Sequence, residues 1–366
     1  MTNTEGSPNG TIRPAKFRRG RGAISNASGR FEEEQREAVA DGWEHDSDEL
    51  APLRTTVTVE RPKRIITRNR SPDVPFDRSI NPYRGCEHGC IYCYARPTHS
   101  YHGLSAGLDF ETRLFAKPDA ARLLARELDA PGYRPAPIAI GTNTDPYQPI
   151  EKRWRITRQV LEVLARARHP VTLVTKSALV LRDLDILEDL ATRGLVRVFL
   201  SVTSLDHRLA RKMEPRASAP HRRLRAIECL AGAGIPTGVM VAPIIPAIND
   251  HEIDAILAAA RAAGATTAGY VPIRLPFEVK DLFAEWLDEH FPDRKAHVLT
   301  LIRDLRGGRM NDPRFGRRMR GQGPLAALLA QRFQLACRRL GLNERAEPSP
   351  AASGSATDPG RQLTLF

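Results

Sequence analysis

The sequence predicts an α/β protein built on a mostly parallel sheet, because short apolar runs alternate along the chain with longer amphipathic segments. The runs have the length of strands and are rich in valine, isoleucine and leucine, as is typical of strands covered by helices. Between them, apolar residues recur at three- and four-residue spacing. This alternation indicates right-handed βαβ units.

Six strands are predicted, each an apolar stretch bounded by glycine, proline or polar residues. They lie around Ile80 and at residues 138–140, 171–174, 196–202, 237–241 and 269–273. Helices are predicted between the strands and after the last one from their apolar periodicity and stop signals. They begin near Pro118 and cover residues 156–167, 180–192, 221–233, 251–263 and 325–340.

The chain has 366 residues, enough for one large domain with extensions. No apolar run approaches the ~20 residues that a membrane span needs, and the polar N-terminus shows no signal-peptide pattern. We therefore expect a cytoplasmic protein with reduced thiols and no membrane partner. The net charge of +12 favours a polyanionic partner such as DNA, although charge also serves solubility.

The two ends of the chain have different compositions. Residues 1–50, with a basic and an acidic run, are predicted to be disordered, because they are polar with little apolar periodicity. Residues 276–343 are predicted to be a helical extension. It contains the basic loop, residues 306–320, whose six arginines and one phenylalanine fit either a phosphate-binding loop or a solvated linker. Residues 344–366 are predicted to be a flexible tail.

Three of the five cysteines, Cys86, Cys90 and Cys93, are spaced C-x3-C-x2-C. Thiolates at this spacing can hold one soft metal centre from a single loop. Three ligands leave one iron of a four-iron cluster open. The alternative is a zinc site that adds His88, but zinc sites of this kind usually bring a second ligand pair, which is missing here.

The cysteine spacing, with Tyr92 just before the last cysteine, resembles the signature of the radical SAM superfamily. The surrounding text, residues 79–95, resembles the branch that contains spore photoproduct lyase and uncharacterised bacterial relatives. The resemblance spans about residues 55–275 and implies a partial (βα)6 barrel as the core. It also implies a [4Fe–4S] cluster on the three cysteines, SAM on the open iron, and an electron donor such as flavodoxin or ferredoxin.

The resemblance further implies where SAM binds, at the carboxyl ends of the barrel strands. Tyr92 matches the position that lies against adenine, and the Thr144 hydroxyl matches a SAM contact after the second strand. Lys176 follows the third strand and Ser201 lies in the fourth, where the family contacts SAM and its ribose. The backbone at Val241 matches the adenine-edge contact of the fifth strand.

Three further candidates come from residue chemistry. Asn143 and Asp145 could accept hydrogen bonds from the SAM ammonium, or could instead form Asx turns ahead of Pro146. Arg216 could clamp the SAM carboxylate with two parallel hydrogen bonds, or could form a surface ion pair.

The resemblance implies reductive cleavage of SAM to methionine and a 5′-deoxyadenosyl radical, which abstracts hydrogen from a substrate. The lyase branch places a cysteine hydrogen donor just after the second strand. Thr142 stands there in this chain, and its O–H bond is too strong to replace a thiol. DNA repair by that thiol mechanism is therefore not predicted. Open alternatives are modification of RNA, protein or a metabolite, and a non-catalytic Fe–S or zinc protein that binds nucleic acid.

The last residues resemble the peptide by which many bacterial polymerases and repair proteins bind the replication sliding clamp. Leu365 and Phe366 would fill an apolar pocket, while Gln362 would hydrogen-bond at its rim and Leu363 would complete the motif. A flexible tail would tether the folded domain close to DNA. The sequence therefore predicts the clamp as a partner and favours DNA as substrate.

Overall fold

The computed structural model of the protein describes residues 20–32 and 53–344. Within these residues the strands are Thr56–Val59 (β1), Thr67–Arg68 (β2), Arg78–Ile80 (β3), Tyr83–Arg84 (β4), Arg113–Ala116 (β5), Ile138–Ile140 (β6), Val171–Thr175 (β7), Val196–Ser201 (β8), Thr237–Ile244 (β9) and Thr267–Pro272 (β10). The helices are Leu108–Thr112 (α1), Ala120–Leu128 (α2), Glu151–Trp154 (α3), Ile156–Arg166 (α4), Leu184–Thr192 (α5), His207–Met213 (α6), Pro220–Gly232 (α7), Ile253–Ala262 (α8), Val279–His290 (α9), Lys295–Leu305 (α10) and Gly323–Leu340 (α11).

The main sheet has the strand order β10-β9-β8-β7-β6-β3-β2. Every neighbouring pair from β3 to β10 is parallel, whereas β2 runs antiparallel to β3 at one edge. The order is linear, so the six parallel strands form an open barrel, and the edges of the whole sheet are β10 and the antiparallel β2. This arrangement confirms the predicted partial (βα)6 fold. A smaller sheet has the order β1-β5-β4.

The two faces of the sheet have different partners, because successive strand residues point to opposite sides. Leu173, Val198, Leu200 and Val239 are fully buried in one core with the side chains of the helices. Burying each such side chain stabilises the fold by about 1.5–3 kcal/mol. The alternate positions form a second, inner cluster with a residue of the basic loop: Val174, Phe199, Met240, Val271 and Met319.

The basic loop joins α10 to α11 and bridges the two edges of the open sheet. At its start the buried Arg306 donates to the carbonyl of Ile273, just after β10 (3.2 Å). Further along, the Gly316 N–H donates to Asp73 in the β2–β3 connection (2.6 Å), and Arg318 forms an ion pair with the same carboxylate. The loop is therefore an anchored part of the fold and not simply a solvated linker.

Residues 20–32, here called the N-terminal strap, pack against the folded core. Arg21, Ala23 and Ile24 are buried. The prediction of disorder for residues 1–50 is therefore wrong for this segment, and the rest of that range lies outside the described residues. No helix in the described part of the chain is long and apolar enough to cross a membrane.

Glu111 of α1 anchors the strap. Its fully buried carboxylate accepts hydrogen bonds from the N–H groups of Gly22 (2.9 Å) and Ala23 (2.8 Å), and it pairs with Arg96 (2.5 Å). A Cβ atom on Gly22 would lie 1.7 Å from the carbonyl oxygen of Gly89, so only glycine permits this approach. The strap is held through its backbone N–H groups. The pattern of apolar residues in a sequence does not reveal an anchor of this kind.

We expect Glu111→Gln to lower the free energy of unfolding by about 3 kcal/mol or more, because Arg96 would keep a buried charge without its carboxylate. The measurement is chemical denaturation of the cluster-free protein under reducing conditions, followed by circular dichroism.

Glu228→Gln is the matched control, since it removes the carboxylate of an exposed ion pair with Arg225 (2.7 Å) on α7. Exposed pairs contribute little, so this variant should unfold like the unmodified protein. An unchanged unfolding midpoint for Glu111→Gln would contradict the anchoring role of the buried pair.

Candidate active site at the carboxyl ends of the strands

The three cysteines lie on one loop, residues 85–93, here called the cysteine loop. Its backbone is held by separate helices: the Cys86 N–H donates to the carbonyl of Phe110 in α1 (2.9 Å), and the Ile91 N–H donates to that of Met213 in α6 (3.0 Å). Because these partners are distant in sequence, the loop has one defined path across the end of the barrel.

The thiols of the cysteine loop are free, with Cys86 and Cys90 buried and Cys93 half-buried. Burial raises the pKa of Cys86 well above that of an exposed thiol. Burial and the Glu214 carboxylate also raise the pKa of Cys90, while the Lys176 ammonium partly opposes them. Metal binding overcomes such shifts, because a coordinating thiol is deprotonated outright.

The donor set fits an iron–sulfur cluster, because three soft thiols come from one loop. Cys229 lies apart on α7, and Cys337 is buried on α11. Within residues 20–32 and 53–344, no three His, Cys, Asp or Glu side chains converge as the ligands of a single ion do. A cubane does not need that convergence, since each cysteine ligates a different iron.

His88, the fourth ligand of the alternative zinc site, faces Asp145, with 3.4 Å between Nδ1 and Oδ2. The same carboxylate accepts from the Lys176 N–H (2.7 Å), the Thr175 hydroxyl (2.7 Å) and the Tyr147 N–H (2.9 Å). Burial alone would raise the pKa of Asp145, but His88, the Thr175 hydroxyl and the Lys176 N–H lower it to about 2. Asp145 is therefore an anion with only 10% of its side chain exposed, and it joins the cysteine loop to the ends of β6 and β7.

The bond from Tyr147 to Asp145 is the Asx turn that the sequence offered as an alternative. Both carboxylate oxygens of Asp145 have partners inside the protein, so its geometry favours a positioning role over contact with the SAM ammonium.

Tyr92 and Lys176 lie side by side, with the ammonium 5.8 Å from the ring centre. The buried Tyr92 hydroxyl donates to Glu214, which also accepts from the Thr203 hydroxyl (2.6 Å) and pairs with Arg223. Burial raises the pKa of Glu214, and Arg223 opposes this shift. The structure thus joins Tyr92, a predicted SAM contact, to a buried acidic group that the sequence analysis missed.

Thr144 and Asn143 follow β6, where Asn81 organises the turn. The Asn143 N–H donates to the Asn81 side-chain oxygen (2.9 Å), and the Thr144 hydroxyl donates to the Tyr83 carbonyl (3.1 Å). The Thr144 oxygen keeps its acceptor capacity for a ligand. Asn81 lies just before Pro82, after the first barrel strand. This position could have indicated its role in the site, but the sequence analysis did not consider it.

Ser201 is the last residue of β8 and is paired in register with Met240, next to Val241. The Val241 side chain is buried in the core with the helices, so only its backbone can serve a ligand. Arg216 forms an ion pair with Glu87 of the cysteine loop (3.2 Å). Of the two interpretations of Arg216, the structure shows the ion pair. The partner carboxylate, Glu87, is buried and does not lie at the surface.

Arg96 is a second residue that the sequence reading missed. It is fully buried, and its Nε donates to the carbonyl of Cys90 (2.9 Å). Its Nη1 donates to the carbonyls of Ala106 and Gly107 (both 3.0 Å). Its position three residues after Cys93 was the available signal. Through the Cys90 carbonyl, the Arg96 side chain holds the backbone of the cysteine loop in place.

Comparison with known protein families identifies the class of enzyme. The profile of the Radical SAM superfamily matches residues 80–260. The chain belongs to this superfamily and is a radical SAM enzyme, with a [4Fe–4S] cluster and SAM as cofactors.

The relatives are uncharacterised. A protein of Mycobacterium tuberculosis is 36% identical over 232 residues, covering 63% of this chain and 68% of that protein. A protein of Methanocaldococcus jannaschii is 28% identical over 173 residues, covering 47% of this chain and 62% of that protein.

Solved structures of spore photoproduct lyase share the fold. Its complex with dinucleoside spore photoproduct has a TM-score of 0.57 at 18% identity, covering 78% of this chain and 80% of that one. A mutant with bound AdoMet and the dinucleoside has a TM-score of 0.56 at 17% identity with the same coverage. At 17–18% sequence identity, this similarity shows a shared fold and nothing further.

We expect Cys86→Ala to lose the cluster, because each cysteine of a three-ligand site is indispensable. Cys337→Ala is the control and should keep about four irons per chain, since Cys337 lies on α11 away from the cysteine loop. The measurement is iron content and visible absorbance after anaerobic reconstitution. Stoichiometric zinc in colourless, anaerobically purified protein would contradict the assignment.

Proposed function

We propose that this radical SAM enzyme acts on DNA. The observation that carries the proposal is the exposed face of the basic loop, where four arginines and Phe315 are exposed. Arginines neutralise backbone phosphates, and an exposed aromatic ring offers a base a stacking surface. The exposed arginines are Arg309, Arg314, Arg317 and Arg320.

Most of this positive charge is available to a partner. Arg314 is paired with Asp312 (2.7 Å), whereas the other three exposed arginines have no carboxylate within 4.0 Å in the described part of the chain. Met319 of the same loop packs on the inner face of the sheet against Val174 and Phe199. A strand bound along the loop would therefore lie next to the barrel interior.

In the proposed enzyme, Cys86, Cys90 and Cys93 would hold the cluster. The bound cluster and SAM would together supply abstraction of a hydrogen atom from the substrate. Tyr92 and Lys176 bind SAM, with Lys176 placing a positive charge beside the cysteine loop. The packed ends of the strands keep these groups in place and exclude water.

The fate of the substrate radical differs from the thiol mechanism of the lyase branch. Thr142 follows β6, and its carbonyl accepts a hydrogen bond from the Tyr94 hydroxyl. No cysteine lies between Cys93 and Cys229 in the sequence. The proposed reaction therefore does not use a cysteine donor at this position, and its product need not be a repaired thymine pair.

The proposal places the enzyme in the cytoplasm, where thiols stay reduced, with a flavodoxin or ferredoxin as electron donor. It also includes docking on the replication sliding clamp through Gln362, Leu363, Leu365 and Phe366. These residues lie outside the described part of the chain, so the support is their sequence alone.

We expect binding of purified clamp to the full chain and no binding to a variant that ends at residue 361, because the apolar anchors would be lost. Equal binding by both proteins, or by neither, would remove the clamp from the account.

We expect Lys176→Ala and Ser201→Ala to keep the cluster and to weaken SAM binding, because both residues lie at the carboxyl ends of strands, where the proposal puts the cofactor. The measurement is equilibrium dialysis with reconstituted protein. Lys152→Ala, which removes an exposed lysine on α3, should bind SAM normally. Unchanged affinity in both site variants would show that SAM binds elsewhere.

The proposed function is tested by 5′-deoxyadenosine formation after dithionite reduction, compared with DNA, with RNA and with neither. We expect DNA to raise the yield the most, because a bound substrate completes the site. The absence of 5′-deoxyadenosine would indicate a binding protein, and stimulation by RNA alone would replace DNA as substrate.

A further inference from the structure

Arg274 occupies an unusual place at the carboxyl-end rim of the sheet, two residues after β10. Its guanidinium carbon lies 5.2 Å from the centre of the Tyr94 ring, and Tyr94 directly follows Cys93. On its other side, Nη1 lies 3.3 Å from the sulfur of Met319 in the basic loop. Arg274 therefore lies between the cysteine loop and the basic loop.

The charge of Arg274 is poorly satisfied. In residues 20–32 and 53–344 no carboxylate lies within 4.0 Å of it, and its Nε is buried without a hydrogen-bond partner. Burial lowers the pKa of Arg274 and the nearby Arg318 adds to this effect, while Tyr94 and the more distant Asp73 carboxylate oppose it. A buried donor without an acceptor is costly, so the site would gain from an anionic ligand.

The fully buried arginines of this protein show what a structural role requires. The guanidinium groups of Arg96 and Arg223 each contact a buried carboxylate and at least one carbonyl oxygen. Arg306 donates to backbone carbonyls at the end of β10. Among residues 20–32 and 53–344, Arg274 has neither kind of hydrogen-bonding partner, and its guanidinium lies beside an aromatic ring and a thioether, both of which are weak acceptors.

An open cavity is separated from this group by the side chain of Met319. This cavity of about 240 Å³ is lined by residues of the β2–β3 connection and the basic loop, and Met319 contacts both the cavity and Arg274. The cavity-lining residues are Pro72, Asp73, Gly316, Met319 and Arg320. Arg320 adds an exposed positive charge at its rim.

We propose that Arg274 binds a phosphate of the nucleic-acid strand, an inference that rests on the proposed function. A guanidinium suits this role because it can donate two parallel hydrogen bonds to two phosphate oxygens at once. Tyr94 extends from Arg274 to the Thr142 carbonyl after β6, so a phosphate held here lies over the rim of the barrel. The adjoining nucleotide would then lie near the cysteine loop, where the hydrogen is abstracted.

The test is equilibrium binding of fluorescent single-stranded and duplex DNA to the anaerobically reconstituted full chain, at several salt concentrations. We expect Arg274→Ala to weaken binding about tenfold or more and to reduce the salt slope by about one, because one charge-assisted contact is lost. Arg274→Lys should recover part of the affinity. Arg225→Ala removes an exposed arginine on α7 and should change neither quantity.

Thermal stabilisation by thymidine monophosphate forms a second arm, which separates this inference from the proposed function. If the unmodified protein binds DNA and Arg274→Ala binds it equally well, the Arg274 inference fails and the DNA function stands. If no DNA binds but the monophosphate stabilises the unmodified protein and not Arg274→Ala, the anion site stands and the DNA function fails. If neither ligand binds, both are overturned.

Discussion

The buried ion pair between Arg96 and Glu111 is the interaction on which the cysteine loop depends. Neither side chain has any exposed surface, so both charges have been removed from water. Such a pair is tolerated only when its remaining donors and acceptors are satisfied. Here Glu111 accepts two N–H groups of the N-terminal strap, and Arg96 donates to the Cys90 carbonyl. The pair thereby joins the strap, α1 and the cysteine loop.

Two further carboxylates, one buried and one largely buried, connect this loop to the barrel. Asp145 joins His88 to the ends of β6 and β7, and Glu214 joins Tyr92 to Arg223 of α7. The three carboxylates hold the cysteine loop from different directions, each through groups that would be costly to leave unpaired. A loop that must present three sulfurs to one cluster needs such support, because metal-site ligands are oriented by the groups behind them.

The sequence was informative where the pattern is local. Strands such as Val171–Thr175 were predictable because they are buried on both faces, and the cysteines because their spacing is a short-range feature. The strap was mispredicted because its anchors are backbone N–H groups and the close approach of Gly22 to Gly89. Neither feature changes the apolar content on which a prediction of disorder rests.

Polar residues at strand ends were harder to assign than the strands. Asp145 and Arg216 have the chemistry to bind SAM, yet their partners in the fold are Thr175 and Glu87. A carboxylate or guanidinium near a site can bind a ligand or hold the site together, and only the positions of distant residues decide between the two. Arg274 is the converse case, because in the described part of the chain no carboxylate lies within 4.0 Å of it and its Nε has no hydrogen-bond partner.

The most direct test of the central claim is transfer of deuterium from DNA into 5′-deoxyadenosine. Fully deuterated DNA would be incubated anaerobically with the reconstituted enzyme, SAM and a reductant, and the 5′-deoxyadenosine analysed by mass spectrometry. The account predicts 5′-deoxyadenosine that carries deuterium from DNA. Formation of 5′-deoxyadenosine without deuterium, in the presence of bound DNA, would show that the abstracted hydrogen comes from another molecule and would contradict the account.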